Sequence, residues 1–189
     1  MQMNTATRWT MTFILCLPWV MVHGAAWTTD YEHSSLRFIA TYDGVAFKTR
    51  IERFNAQIVF DPRQIDNARF DVSVEISSVN SNSTDRDGGM LGKEWFDSKA
   101  FPKSRFISTG FSKTGANTFE MTGRLTVKDT TREITLPFTW TENATGARMI
   151  GQTTLQRTDF KIGTGEWETD QTIGFKVILE VDLLLRRNP

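Results

Sequence analysis

Strict alternation of apolar and polar residues runs through four stretches of this 189-residue chain and confines them to strands with one dry and one wet face. Phe70, Val72, Val74 and Ile76 alternate with Asp71, Ser73, Glu75 and Ser77. Phe119, Met121, Gly123, Leu125 and Val127 alternate with Glu120, Thr122, Arg124, Thr126 and Lys128. After an Asp129-Thr130 turn, Ile134, Leu136, Phe138 and Trp140 alternate with Glu133, Thr135, Pro137 and Thr139. Near the end, Ile173, Phe175, Val177, Leu179, Val181 and Leu183 share one face, and Lys176, Glu180 and Asp182 share the other.

Weaker strand patterns at Leu36 to Tyr42, Ile51 to Phe60, Arg105 to Ser112 and Arg148 to Gln156 bring the expected total to eight. The breakers between them are Asp61-Pro62, Asp66-Asn67, Thr114 to Asn117 and Glu142 to Gly146. Short connections favour antiparallel neighbours in up-and-down order. The expected fold is therefore all-β: an eight-stranded antiparallel barrel, closed so that no edge is exposed, with a short helical or irregular segment near 83–102. A barrel of that size is either filled by its own side chains or holds one ligand. The aromatics, 19 of them after residue 26, can pack it solid or line a tapering slot, and both readings stay open.

The first 26 residues do not belong to this pattern. Arg8 precedes an apolar run from Met11 to Val22, which ends at the small residues Gly24-Ala25-Ala26. That order reads as a secretory leader cleaved after Ala26, leaving one domain over 27–189. The run falls short of the ~20 residues a spanning helix needs, so stable membrane insertion is not expected. Phe13-Ile14-Leu15 before Cys16 lacks the small residues of a lipoprotein site. Cleavage removes Cys16, the one cysteine, and His23, one of the two histidines. Disulfides, thiolate nucleophiles and multi-histidine metal sites are thereby excluded from the mature domain, and no cofactor is expected. The expected compartment is the bacterial periplasm. With 22 basic and 22 acidic residues and no long run of either sign, nothing attracts nucleic acid.

Two stretches lack alternation. Ser83 to Pro102 carries Gly88, Gly89 and Gly92, with Asp85 as a candidate cap for a short helix. Arg157 to Asp170 carries Phe160, Gly163, Gly165 and Trp167. Long irregular segments in compact domains are more often functional than not. Arg86 either forks onto a phosphate or quinone oxygen, or forms an ion pair and cap that pins the first segment. Met90, Trp95, Phe96 and Phe101 form a pocket lid or plug one barrel end, and Phe106, Trp140, Phe160, Trp167 and Phe175 are candidate lining. The carboxylates Glu94/Asp97 and Glu166/Glu168/Asp170 lack the spacing of a calcium loop and read as solvated loops. His33 reads as an exposed side chain.

The segment Asp85-Arg86-Asp87, Trp95-Phe96-Asp97 and Phe101-Pro102, followed by Phe106 and Ser108, resembles the signature of the YceI-like family. Thr122 to Lys128 with Thr131-Arg132 and Thr135-Leu136 is similar to that family's second stretch, and Gln156 to Phe160 with Ile162-Gly163 to its third. The resemblance implies a lipocalin-like, mostly periplasmic barrel that binds a polyisoprenoid or other long amphiphile inside. Many members have a histidine two residues after the Arg-Asp pair, where this chain has Gly89.

The leading expectation is thus a periplasmic binding protein, not an enzyme. Its cargo is a polyisoprenoid or quinone-type lipid, carried for transport, storage or sequestration, with a membrane electron-transfer protein as a further partner. Two rivals are a barrel enzyme working through cavity-facing carboxylates and an eight-stranded outer-membrane barrel, because apolar-in and apolar-out strands look alike in one dimension.

Overall fold

The structure, a computed structural model, describes residues 26–187. The expected leader lies outside the described residues except for Ala26, which opens the first strand. The strands are β1 (Ala26–Thr29), β2 (Ser35–Tyr42), β3 (Val45–Ile51), β4 (Phe54–Val59), β5 (Arg69–Glu75), β6 (Val79–Asn80), β7 (Lys103–Lys113), β8 (Thr118–Val127), β9 (Thr130–Glu142), β10 (Gly146–Gln156) and β11 (Lys176–Arg187). One helix, α1, spans Thr84–Met90.

Eleven strands make eight staves. The register Trp27↔Ile58, Leu36↔Ile51 and Tyr42↔Val45 shows β1–β2 to be one stave, interrupted at 30–34, against a second made of β3–β4. β5 and β6 form the third, pairing with β4 and β3 respectively. β7 to β11 follow in chain order. β11 closes the ring on both halves of the first stave, through Val181↔Leu36 and Thr29↔Leu185. The barrel is up-and-down, antiparallel and closed, as the alternation implied.

The interruptions have local causes. At 30–34 the Ser34 hydroxyl accepts the Leu184 N–H at 2.9 Å, replacing a ladder bond. At 52–53 the Ser78 hydroxyl accepts the Arg53 N–H at 3.0 Å and donates to the Glu75 carbonyl at 2.7 Å. The strand expected from Ile51 to Phe60 is therefore β4 alone, with Ile51 closing β3. The missed strand β3 follows Asp43-Gly44, whose φ values of 48° and 75° make a two-residue hairpin turn of left-handed backbone.

The apolar faces point inward. Outside, the strands carry ion pairs at several heights, Arg105–Asp71 at 2.6 Å and Arg148–Asp182 at 2.8 Å, and Arg37–Glu180 at 3.5 Å nearer the middle of β11. A membrane barrel needs an apolar outer belt at that height, so the outer-membrane reading is corrected. Among the described residues no helix is long and apolar enough to cross a membrane.

One half of the interior is solid. Phe60, fully buried just after β4, packs against Trp140 at 4.6 Å, Phe119 at 5.2 Å, Phe138 at 5.5 Å, Phe111 at 5.8 Å and Phe70 at 5.9 Å between ring centroids. Trp27 stacks edge-on against Trp140 at 5.3 Å and donates its indole N–H to the Phe60 carbonyl at 2.8 Å. These rings plug the end at which the chain enters and leaves the barrel.

Candidate functional site

In an up-and-down barrel alternate connections fall at the same end. The Asp43-Gly44 turn, the segment from 81 to 102, the Lys128-Asp129 turn and the segment from 157 to 175 therefore all gather at the end opposite the plug. Both irregular stretches share that mouth.

Helix α1 forms despite its glycines because Ser83 caps it, accepting the Arg86 N–H at 3.4 Å. Asp85, the expected cap, lies instead within the first turn beside the helix's positive end. Asp87 reaches back to accept the Ser81 N–H at 2.9 Å. The Arg86 guanidinium lies 4.5 Å from the centre of the Phe47 ring and donates to the Ser81 carbonyl at 3.3 Å. Among the described residues it forms no ion pair, which corrects that part of the expectation.

The second stretch is organised by Arg157, which is 3% exposed. Its five N–H donors reach six backbone carbonyls: Gly174 from Nε at 3.2 Å, Ile162 and Gly163 from Nη1 at 2.8 and 3.1 Å, and Trp167, Thr169 and Ile173 from Nη2 at 2.6, 2.9 and 3.0 Å. Burial holds its pKa below the ordinary arginine value, because leaving water disfavours the charged form. The guanidinium also faces the rings of Phe175 at 5.3 Å and Trp95 at 5.6 Å.

Glu94 stitches the two stretches together. Its carbonyl accepts the N–H groups of Gly163 at 2.8 Å and Thr164 at 3.0 Å, and its carboxylate accepts the Trp167 indole N–H at 3.0 Å. Trp95 and Trp167 meet at 5.6 Å. Glu94 is exposed, as expected of a loop carboxylate, and it is bonded as well. His33 stays 60% exposed, 3.1 Å from Asp30.

Between this roof and the aromatic plug lies a cavity of about 460 Å³ whose lining is almost wholly apolar. Phe38, Phe47, Val72, Phe106, Leu125, Ile134, Leu155, Val177 and Leu179 form the wall; Met90, Trp95, Phe96, Phe160 and Ile162 form the roof. Gly123 allows a close approach of β7: a Cβ there would collide with the Phe106 ring and with the backbone carbonyl of Ile107. The two readings of the aromatics are both realised, one in each half of the barrel.

The YceI-like domain model matches residues 27–185, the whole of this barrel. The chain belongs to the YceI-like family. A UPF0312 protein of Vibrio campbellii is 30% identical over 141 residues, covering 71% of this chain and 75% of that protein. The stretch shared with a Shewanella denitrificans relative, 26% identical, spans 65% of each chain. Among solved structures, Burkholderia cenocepacia BcnA superposes with a TM-score of 0.81 at 25% identity, over 83% of this chain and 99% of that one. A polyisoprenoid binding domain from Saccharophagus degradans shares the fold with a TM-score of 0.67 at 13% identity, over 88% and 100%.

Within this YceI-like barrel, Arg86, Met90, Trp95, Phe96, Phe106, Phe160 and Trp167 line the cavity, while Phe101, Trp140 and Phe175 are not part of its lining. Trp140 belongs to the plug, because it lies too far down β9. Phe175 backs Arg157, and Phe101 closes a turn through its N–H to the Asp97 carbonyl at 2.8 Å. Gly89, where the family resemblance implies histidine, also borders the cavity, with open space where a Cβ would stand. Arg157, Phe38 and Phe47 were not singled out by sequence, although Arg157 stands inside the third family stretch, and Glu94 was weighed only as a loop carboxylate. The acidic lining residues are Glu75 and Asp85. Glu75 is held by Arg53 at 2.6 Å, which keeps its carboxyl below the usual range, and Asp85 is exposed.

Proposed function

We propose that this chain is a periplasmic lipid-binding protein that shelters the tail of a polyisoprenoid, of the quinone or prenyl-carrier type, for transport, storage or sequestration. The observation that carries this reading is the dry cavity of about 460 Å³ above a sealed aromatic floor, within the size range of ligand pockets. Each methylene moved from water into it contributes roughly 0.8 kcal/mol. A tail of two or three isoprene units then offsets association costs of order 4–15 kcal/mol. Arg86, at the rim, offers guanidinium donors to an oxygen-bearing head, while Met90, Trp95, Phe96, Phe160 and Trp167 cover the tail. The Saccharophagus degradans neighbour, described as polyisoprenoid-binding, supports the same ligand class, and the leader-like first 26 residues support export. A quinone cargo would make a membrane-bound electron-transfer protein the natural partner, to be sought by pull-down from solubilised membranes. Catalysis has less support, since the acidic lining residues are ion-paired or exposed and not a cavity-facing pair.

Protein purified from its native host is expected to release an isoprenoid into an organic extract, identified by mass spectrometry. Binding is expected to change tryptophan emission through Trp95 and Trp167, so the double variant W95F/W167F should lose most of the response. An empty extract together with no uptake of a prenyl quinone by the delipidated protein refutes the proposal.

A further inference from the structure

The cavity has a floor, and its volume sets a limit. Phe70, Met121, Leu136 and Met149 belong both to the lining and to the packed core, so the space ends where the aromatic plug begins. Behind them Phe60 is fully buried among rings 4.6–5.9 Å away, which leaves a tail no second exit. An apolar cavity of ~150 Å³ accepts one benzene, about 25 Å³ per carbon. On that scale about 460 Å³ holds roughly 18 carbons, between three and four five-carbon units.

The mouth end of the same space holds one polar anomaly. Ser104, the second residue of β7, shares the inward face of Phe106 and lines the cavity. It is 7% exposed, and its hydroxyl has no hydrogen-bond partner. A buried hydroxyl left unpaired is costly, and a turn about its Cα–Cβ bond that brought it to the cavity surface would let an oxygen on a bound ligand satisfy it.

We propose that the half-barrel selects its lipid by tail length, taking a prenyl tail of roughly three to four five-carbon units, with the head oxygen bonded to Ser104 and the far end stopped by the aromatic floor. This rests on the lipid-binding reading. A longer tail leaves its surplus in water at the mouth, and a shorter one leaves the cavity part-empty.

The test offers the full mature protein an equimolar mixture of geraniol (C10), farnesol (C15), geranylgeraniol (C20) and solanesol (C45) in detergent micelles. The lipid retained on the repurified protein is then quantified by mass spectrometry. Farnesol and geranylgeraniol are expected to be enriched about tenfold over solanesol and about threefold over geraniol. Val177→Phe, which fills the wall, should move the preference toward geraniol. If that variant does not fold, the wild-type distribution decides alone. Farnesol should be retained about fivefold more than farnesane, its headless hydrocarbon, and Ser104→Ala should abolish that difference. Solanesol retained as well as geranylgeraniol overturns length selection while leaving lipid binding intact. An unchanged farnesol preference in Ser104→Ala overturns the head assignment. No retention of any prenyl alcohol overturns the lipid-binding reading and this inference with it.

Discussion

Replacing Arg157 by methionine keeps most of the aliphatic bulk and removes the guanidinium that holds the mouth. Its six carbonyl partners lie between Ile162 and Gly174, so one side chain organises the whole second irregular segment. Hydrogen bonds to a charged group contribute roughly 1.5–3 kcal/mol each, but their sum is an upper bound because the freed segment can open to water. Removing one member of a buried charged network costs about 3–5 kcal/mol, and that is the expected loss. It should fall on the mouth rather than on the staves. Hydrogen exchange is the discriminating assay: the amides of Gly163 and Thr164, bonded to Glu94, and of Gly174, bonded to Thr41, report the segment directly. Their protection should fall by about 100-fold or more, since each 1.4 kcal/mol is a factor of ten. Amides in the β8–β9 ladder should keep theirs. Arg157→Lys, which keeps charge without the planar fork, should fall between. Unchanged exchange at Gly163, Thr164 and Gly174, with a urea midpoint equal to wild type, would refute the assignment of Arg157 as the organiser of the mouth.

Three further outcomes follow from other parts of the barrel. Hydrogen bonds from Arg186 and then His33 hold the Asp30 carboxyl at about 2 instead of 3.8, so the carboxylate stabilises the fold above the ordinary range. That contribution is lost as pH falls from about 4 toward 2, and thermal midpoints of Asp30→Asn should be less acid-sensitive across that window than wild type; equal slopes would show the pairing to be inconsequential. Gly123→Ala should clash with both the Phe106 ring and the backbone carbonyl of Ile107, so that β7 and β8 must move apart locally, costing about 1–3 kcal/mol by denaturation and lowering farnesol affinity, whereas unaltered stability would contradict the close approach of the two strands. Phe60→Ala should cost about 3–5 kcal/mol in urea unfolding, because it empties the centre of the aromatic plug; a loss below about 1 kcal/mol would contradict the packing.

Side-chain facing was legible from sequence because it is a local property: successive strand residues point to opposite sides whatever the rest of the chain does. That fixed the inward row Phe119, Met121, Gly123, Leu125 and Val127 and the barrel class with it. It failed for β3, where the inward row is Phe47, Thr49 and Ile51 and the middle residue is a fully buried threonine. The Asp43-Gly44 pair, a strong hairpin signal, is the local feature that could have revealed that strand. The two stretches without alternation were also visible as gaps in the pattern.

Which inward residue plugs the barrel and which lines its hollow was decided only by tertiary structure. Ile134 and Phe138 share one face of β9, yet Ile134 borders the cavity and Phe138 packs within the plug. Their difference is height along the barrel axis, which depends on the register of all eight staves. The clasp of Glu94 on Trp167, 73 residues apart, and the carbonyls around Arg157 exist because ring closure brings alternate connections to one end. The alternation is written residue by residue; the hollow is a product of long-range pairing, which no local pattern encodes.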